Sequence, residues 1–144
     1  MVAACSSESA LATRVFDPCT PPRFDAPAAT EEQRATIGDA LALWRDAGLA
    51  LGSPNDDAIV IAFERGAPAL YGLYDGDAAT IFINVELDSG DAAIALAHEL
   101  GHVFGLVHVP AEERASVMNA GNLTIPPTSI DHSSVEAIWG RCAD

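Results

Sequence analysis

Apolar positions in the first part of the chain recur at helical spacing. Ile37, Leu41 and Trp44 fall on one face of a helix predicted over Thr30–Ala47. The helix opens with Thr-Glu-Glu-Gln, a capping-box sequence in which the threonine and glutamine side chains satisfy free backbone groups. The pattern predicts an amphipathic helix whose apolar face, Trp44 included, packs into a core.

Three short apolar runs follow and predict strands. Ala58–Phe63 and Thr80–Val85 are rich in β-branched and aromatic residues, as buried strands are. Ala69–Tyr74 is a weaker candidate. Because Asp75-Gly76-Asp77 behind it is a turn sequence, we expect the second and third runs to pair as a hairpin.

The second half of the chain predicts two further helices. Asp88-Ser89-Gly90-Asp91 supplies a helix start, and Ala92–Phe104 is apolar nearly all round, as in a helix buried in a core. Asp131 can cap a short last helix. The 144 residues suit one domain, which we place at residues 30–144 behind an irregular, proline-containing segment at residues 1–29.

The formal net charge of −14 excludes nucleic acid as a partner, because the chain has too few cations to neutralise phosphates. The same charge is explained by solubility, and alternatively by a preference for basic peptides. Acid pairs such as Asp56/Asp57 lie in turn-forming stretches. Ca²⁺ binding stays open, but no EF-hand spacing supports it.

The three cysteines, Cys5, Cys19 and Cys142, show no CxxC spacing. A disulfide between Cys19 and Cys142 would tie both ends of the chain to the core, which suits an exported protein. Residues 2–5 resemble the end of a bacterial lipoprotein signal, without the charged and apolar regions that precede such a site. We therefore expect a secreted or cell-surface protein, with a lipid anchor at Cys5 as an open alternative to an accidental match.

Candidate chemistry is concentrated in residues 98–108, HELGHVFGLVH, which fit the pattern HExxHxxGxxH. His98 and His102 are four residues apart, so a helix places both on one face, where they can share a metal ion. Glu99 is turned about a quarter of a revolution from His98 and can reach a water bound to that metal. The spacing therefore predicts two metal ligands beside a general base.

The third predicted ligand, His108, lies beyond the helix. Gly105 accepts a positive φ, so the chain can leave the helix sharply and bring His108 back to the metal. Three neutral imidazoles leave one zinc position open for water, as in a catalytic rather than a structural site. The alternative, three histidines on a core helix without metal, would bury imidazoles around a carboxylate at a high cost.

This segment resembles the zinc-binding consensus of the metzincins, the clan that includes astacins, adamalysins, serralysins and matrixins. Metzincins place a methionine in a tight turn beneath the zinc, and Met118 within Ser116–Asn119 matches that Met-turn. Residues 130–140 resemble the C-terminal helix of matrixins. There Asp131 matches the aspartate that supports the Met-turn, while His132 stands where a second aspartate is usual.

The resemblance implies an α/β (α+β) zincin catalytic domain. Its twisted, mixed, mostly parallel sheet has an antiparallel edge strand, at Ala69–Tyr74, which receives the substrate, and three helices complete the fold. It also implies a zinc endopeptidase whose zinc-bound water is activated by Glu99. Ala120 stands where astacins and serralysins carry an extra tyrosine ligand, and Val109 where archaemetzincins carry cysteine. The chain is therefore closest to matrixin-like bacterial members.

Several alternatives stay open from the sequence. The fold can serve as a catalytically weak peptide-binding module, or the enzyme can be a processing peptidase of narrow specificity. A thiolate of Cys5 or Cys19 can block the zinc. His132 is a surface or supporting residue or, alternatively, a fourth ligand. We expect a monomer that acts on a peptide or protein substrate.

Overall fold

Helix α1 spans Glu31–Asp46 in the computed structural model of the protein, which describes residues 14–66 and 70–142. The predicted capping box is present. Gln33 N donates to Thr30 Oγ1 at 3.1 Å, and Thr30 N donates to Gln33 Oε1 at 2.9 Å. Trp44 is buried, as its place in the apolar stripe predicts. The helix therefore begins where its sequence indicates.

Four strands form one mixed sheet: β1 Arg23–Asp25, β2 Ala58–Glu64, β3 Gly72–Asp75 and β4 Thr80–Asn84. Their order is β1-β2-β4-β3. The pairs β1–β2 and β2–β4 are parallel, and β3 pairs antiparallel with β4. The α/β class, the mixed sheet and the antiparallel edge strand predicted from the sequence are confirmed at this level of detail.

The strand prediction missed one strand and placed the start of another too early, and the other strand ends agree within one residue. Residues 1–29 were expected to be irregular, but Arg23 pairs with Ala58 and starts β1. A three-residue edge strand is supplied by pairing with β2, a tertiary contact that local sequence does not display. The antiparallel edge strand begins at Gly72, after residues 70 and 71, which the prediction had included; residue 69 and Cys5 lie outside the described residues.

Helix α2, Ser89–Val103, lies in the core against α1 and the sheet. Asp88, the first residue of the stretch predicted to start the helix, is its N-cap and accepts a hydrogen bond from Asp91 N at 2.8 Å. One face of the sheet turns toward the helices because strand side chains alternate. The buried residues of that face include Ile59, Ile61, Ile81 and Ile83.

Helix α3, Ser129–Trp139, is capped differently from the prediction. Thr128, not Asp131, is the N-cap, and Asp131 occupies the third helical position of a second capping box. Thr128 stands three residues before Asp131, which is the capping-box spacing. The helix therefore starts from the Thr128 cap and not from the cap expected at Asp131. This shift places the Asp131 carboxylate in the interior, where it is fully buried.

Cys19 and Cys142, the pair named from the sequence, form a disulfide with a Cα–Cα distance of 5.3 Å. The bond joins the segment before β1 to the residues after α3, across 123 positions of sequence. Within the described ranges, no helix combines the length and the apolarity needed to cross a bilayer.

Removing this disulfide is expected to lower the free energy of unfolding by about 2–4 kcal/mol, because the bond restricts the unfolded chain over a long loop. The measurement is chemical denaturation of wild type against a Cys19→Ser/Cys142→Ser variant. Cys5→Ser is the matched control, since it leaves this bond intact. Intact mass without reductant should be two hydrogens short. Free thiols at both positions in the purified protein would contradict the assignment.

Candidate metal centre

Three histidines meet at the C-terminal half of α2. Possible ligand atoms of His98, His102 and His108 all lie within 4.8 Å of one another. The first two are buried on one face of the helix, one turn apart, and the third is half-buried on the loop after it. The three ring centroids are 5.0–5.2 Å apart. The structure therefore brings together all three histidines predicted as ligands.

Backbone carbonyls orient the two helical imidazoles. Nδ1 of His98 lies 2.6 Å from Val117 O, and Nδ1 of His102 lies 2.8 Å from Leu106 O. A carbonyl oxygen only accepts, so each Nδ1 carries the proton and donates it. This tautomer leaves Nε2 of each ring as the atom that can bind a metal, the arrangement typical of metal-binding histidines.

The spacing of the nitrogen atoms fits a tetrahedral metal ion. Nε2 of His98 and Nε2 of His108 are 3.3 Å apart. Metal–nitrogen bonds of about 2.0–2.1 Å in a tetrahedron give nitrogen–nitrogen edges of about 3.3–3.4 Å. The donor set of three imidazoles is also one that divalent transition metals prefer. We conclude that the cluster can hold a metal ion.

The electrostatic environment keeps the two buried rings neutral. Burial lowers the pKa of His98 to about 4 and the pKa of His102 to about 3, because the charged imidazolium loses its hydration in the interior. The backbone hydrogen bonds oppose this shift but do not reverse it. At neutral pH an arriving cation therefore meets unprotonated nitrogens and displaces no proton from these two rings.

Glu99 lies directly after His98 and is fully buried. Its side chain packs against the edge strand, since a Cβ added to Gly72 would stand 3.2 Å from Glu99 Cγ. The absence of a side chain at Gly72 thus lets the backbone of β3 approach the predicted base closely. The carboxylate and the sheet edge are neighbours in space.

Met118 packs against the backbone of α2 at Gly101, the residue before His102. A Cβ added to Gly101 would overlap the Met118 sulfur, so Gly101 leaves the space that the thioether fills. Met118 is fully buried, and its carbonyl accepts from Val109 N at 3.0 Å. The preceding Val117 carbonyl holds His98. The turn therefore supports two stretches of chain that carry ligands.

The turn that carries Met118 is held by the Asp131 carboxylate, which accepts four hydrogen bonds. The donors are Ser116 Oγ at 2.6 Å, Arg114 Nη1 at 2.8 Å, Thr128 N at 3.0 Å and Val117 N at 3.1 Å. Burial alone would raise the pKa of Asp131, but these hydrogen bonds lower it overall. Asp131 is therefore an ionised anchor between α3 and the turn.

Asp131→Asn is expected to lower the free energy of unfolding by about 3 kcal/mol or more at neutral pH, since it turns an amide donor toward buried donors and unpairs Arg114. In the folded protein the pKa of Asp131 lies below its ordinary value of 3.8. The stabilisation is therefore fully present above pH 3.8 and is lost as the pH falls through the folded-state pKa. The difference should shrink on acidification. Denaturation with the exposed Asp39→Asn as control measures it, and an equal small loss in both variants would contradict the anchor role.

Several contributors were not predicted from the sequence. Arg114 reaches Asp131 across 17 residues, and Asn119 bridges the loop by donating to Val109 O and Arg114 O. Only the Thr128 cap had a local signal, its spacing from Asp131. His132 lies apart from the cluster: it packs on Gly48 at the end of α1, with its Nε2 3.7 Å from a Glu136 carboxylate oxygen.

Comparison with known proteins adds no relative. No protein-family model matches the chain, and no curated protein matches it. The function is therefore inferred from the residues of the site.

Proposed function

We propose that this protein is a zinc-dependent endopeptidase of the metzincin type, closest to matrixin-like bacterial members. The observation that carries the proposal is the meeting of His98, His102 and His108 with the buried Glu99 at their side. The two chain features that resemble metzincins, the segment at 98–108 and Met118, meet in the same place. The donor set suits zinc, which three imidazoles bind with one position open.

His98, His102 and His108 would hold the zinc through ring nitrogens. When bound, zinc supplies a Lewis acid that polarises the scissile carbonyl and makes water more acidic. Glu99 accepts a proton from the attacking water at a carboxylate oxygen and passes it to the nitrogen of the leaving amine. Glu99 Cγ packs against β3 at Gly72, and this contact limits the motion of a side chain that follows His98 directly in the helix.

The edge strand offers a place for an extended peptide. β3 pairs with β4 on one side and ends the sheet on the other, so its outer backbone groups can pair with an added strand. A peptide laid along β3 would pass Glu99, because Gly72 of that strand packs against the Glu99 side chain. The substrate we propose is therefore a peptide or unfolded protein segment in extended form.

The setting we propose is outside the cytoplasm. A disulfide between distant cysteines forms and persists in oxidising compartments, which supports a secreted or cell-surface protein. The net charge of −14 argues against nucleic acid as a partner. We propose a monomer for which the substrate is the principal partner.

Hydrolysis of a mixed quenched-peptide library by zinc-loaded protein tests the function. We expect cleavage by wild type, loss of cleavage with a zinc chelator and its return when zinc is added back. Stoichiometric zinc without any cleavage would contradict the peptidase and leave the peptide-binding module. That outcome would be checked by binding of the same peptides, labelled, to the loaded protein.

A further inference from the structure

The end of α2 is closed by a turn that determines where the third histidine lies. The last four carbonyls of a helix have no partner within it. Two of them are satisfied by the turn itself: Gly105 N donates to His102 O at 3.0 Å, and Leu106 N donates to Gly101 O at 2.8 Å. Gly105 has φ +97°, so this is a Schellman-type ending. His108 follows three residues later.

The other two carbonyls, those of Val103 and of Phe104 directly after it, accept hydrogen bonds from residues outside the helix. Phe16 N donates to Val103 O at 2.8 Å, and Trp139 Nε1 donates to Phe104 O at 2.8 Å. Phe104 is fully buried, so its carbonyl depends on a protein donor rather than on bulk water. Two distant segments, one before β1 and one at the end of α3, therefore complete the helix end from which the ligand loop departs.

The disulfide joins these same two segments. Cys19 lies three residues after Phe16, and Cys142 lies three residues after Trp139. The two segments are thus linked both to the helix end and to each other. Phe16 donates to Val103 O, Trp139 donates to Phe104 O, and the disulfide joins the two segments covalently. Because the disulfide joins the two segments, neither Phe16 nor Trp139 can move away from the helix end independently of the other.

We propose that Trp139 is a positioning residue for the third metal ligand, His108, and that the Cys19–Cys142 disulfide keeps Trp139 in place. The inference rests on the proposed metal site. Without the indole N–H, the Phe104 carbonyl must turn toward another donor, and the turn at Gly105 moves with it. His108 then samples orientations that do not bind the metal, and the affinity falls because the site is less preorganised.

The chain supplies a matched control in its other tryptophan. Trp44 Nε1 donates to Ala97 O at 2.9 Å, so it also gives an indole hydrogen bond to a backbone carbonyl of α2. Ala97 lies within the helix, ahead of His98, and not at the turn that leads to His108. Trp44→Phe and Trp139→Phe therefore delete the same kind of bond from the same helix, at two different places.

The test is Zn²⁺ affinity by chelator competition, repeated with Co²⁺ followed by its visible absorption, together with thermal unfolding of the metal-free proteins. We expect Trp139→Phe to weaken Zn²⁺ binding by about 10-fold or more and to change the Co²⁺ spectrum. Trp44→Phe should leave the affinity for Zn²⁺ within about twofold of wild type, even if it lowers the free energy of unfolding more than Trp139→Phe does. The metal affinity of a protein that stays folded does not follow its stability. Equal weakening in both variants, or none in Trp139→Phe, would overturn the proposal.

The disulfide part is tested by Cys19→Ser/Cys142→Ser, which removes the bond without adding thiols that bind metal. We expect this double variant to weaken Zn²⁺ binding too. The triple variant, which adds Trp139→Phe, should bind Zn²⁺ little more weakly than whichever of the double variant and Trp139→Phe binds it less tightly, since both changes act on one helix end. Effects that simply multiply would overturn this part. All these readouts use metal alone, so failure here with zinc-dependent cleavage intact is distinct from failure of the peptidase itself.

Discussion

Glu99→Gln is expected to lower kcat for peptide hydrolysis by about a thousandfold while zinc remains bound. Glutamine has nearly the same shape as glutamate, so the packing of the buried side chain against Gly72 is kept. Its amide cannot take a proton from water at neutral pH, so the general base is lost. The three histidines are unchanged, and zinc affinity should therefore stay close to that of wild type.

The measurement combines kinetics on a cleaved peptide with zinc content of the same samples. Glu32→Gln on the exposed side of α1 is the matched control, and it should retain wild-type turnover. Glu99→Ala gives a second test, in which both the carboxylate and its volume are lost. Hydrolysis at the wild-type rate by a zinc-loaded Glu99→Gln protein would reject Glu99 as the base and with it the mechanism.

Those elements that carry their own signal could be predicted from the sequence. The capping box and apolar stripe of α1 fixed its bounds within a residue, and Asp88 marked the start of α2. The pairing of His98 and His102 was predictable for the same reason, because helical spacing brings residues four apart onto one face. Local periodicity was sufficient to predict an element where the contacts that determine it join residues close together in the sequence.

Prediction was weaker wherever a distant partner decides the structure. β1 exists because Arg23–Asp25 finds the edge of β2, which the three residues do not indicate by themselves. Likewise the Asp131 carboxylate is buried because Thr128 caps α3 and Arg114 reaches it from another loop. The family resemblance implied a supporting role for Asp131, but no local pattern in the sequence indicates its four hydrogen-bond donors.

The completed end of α2 is the clearest case of information absent from local sequence. Its outer carbonyls bond to Phe16 and to Trp139, which lie 87 and 35 positions from their acceptors. Nothing in either neighbourhood indicates these partners. A single sequence therefore indicates the candidate ligands of the site, and the fold shows which groups orient them.

His102→Ala is expected to weaken zinc binding by about a thousandfold or more. The apparent binding free energy of a protein zinc site is about 10–16 kcal/mol, so one of three ligands accounts for roughly 4 kcal/mol, about three decades of affinity. His102 is buried and already neutral at neutral pH, and its Nδ1 is held by Leu106 O, so alanine removes a nitrogen that is oriented before the metal binds. Zinc content after dialysis against a weak chelator measures the effect.

The chain provides the control for this experiment in His132, its only histidine outside the cluster. His132→Ala removes the same ring from a place where it packs on Gly48. It should therefore retain full zinc occupancy. Circular dichroism of both metal-free variants shows whether they are folded at the assay temperature. Full occupancy in His102→Ala would reject the ligand assignment. Loss of zinc from His132→Ala with a retained fold would instead make His132 a ligand, which its separation from the three clustered rings argues against.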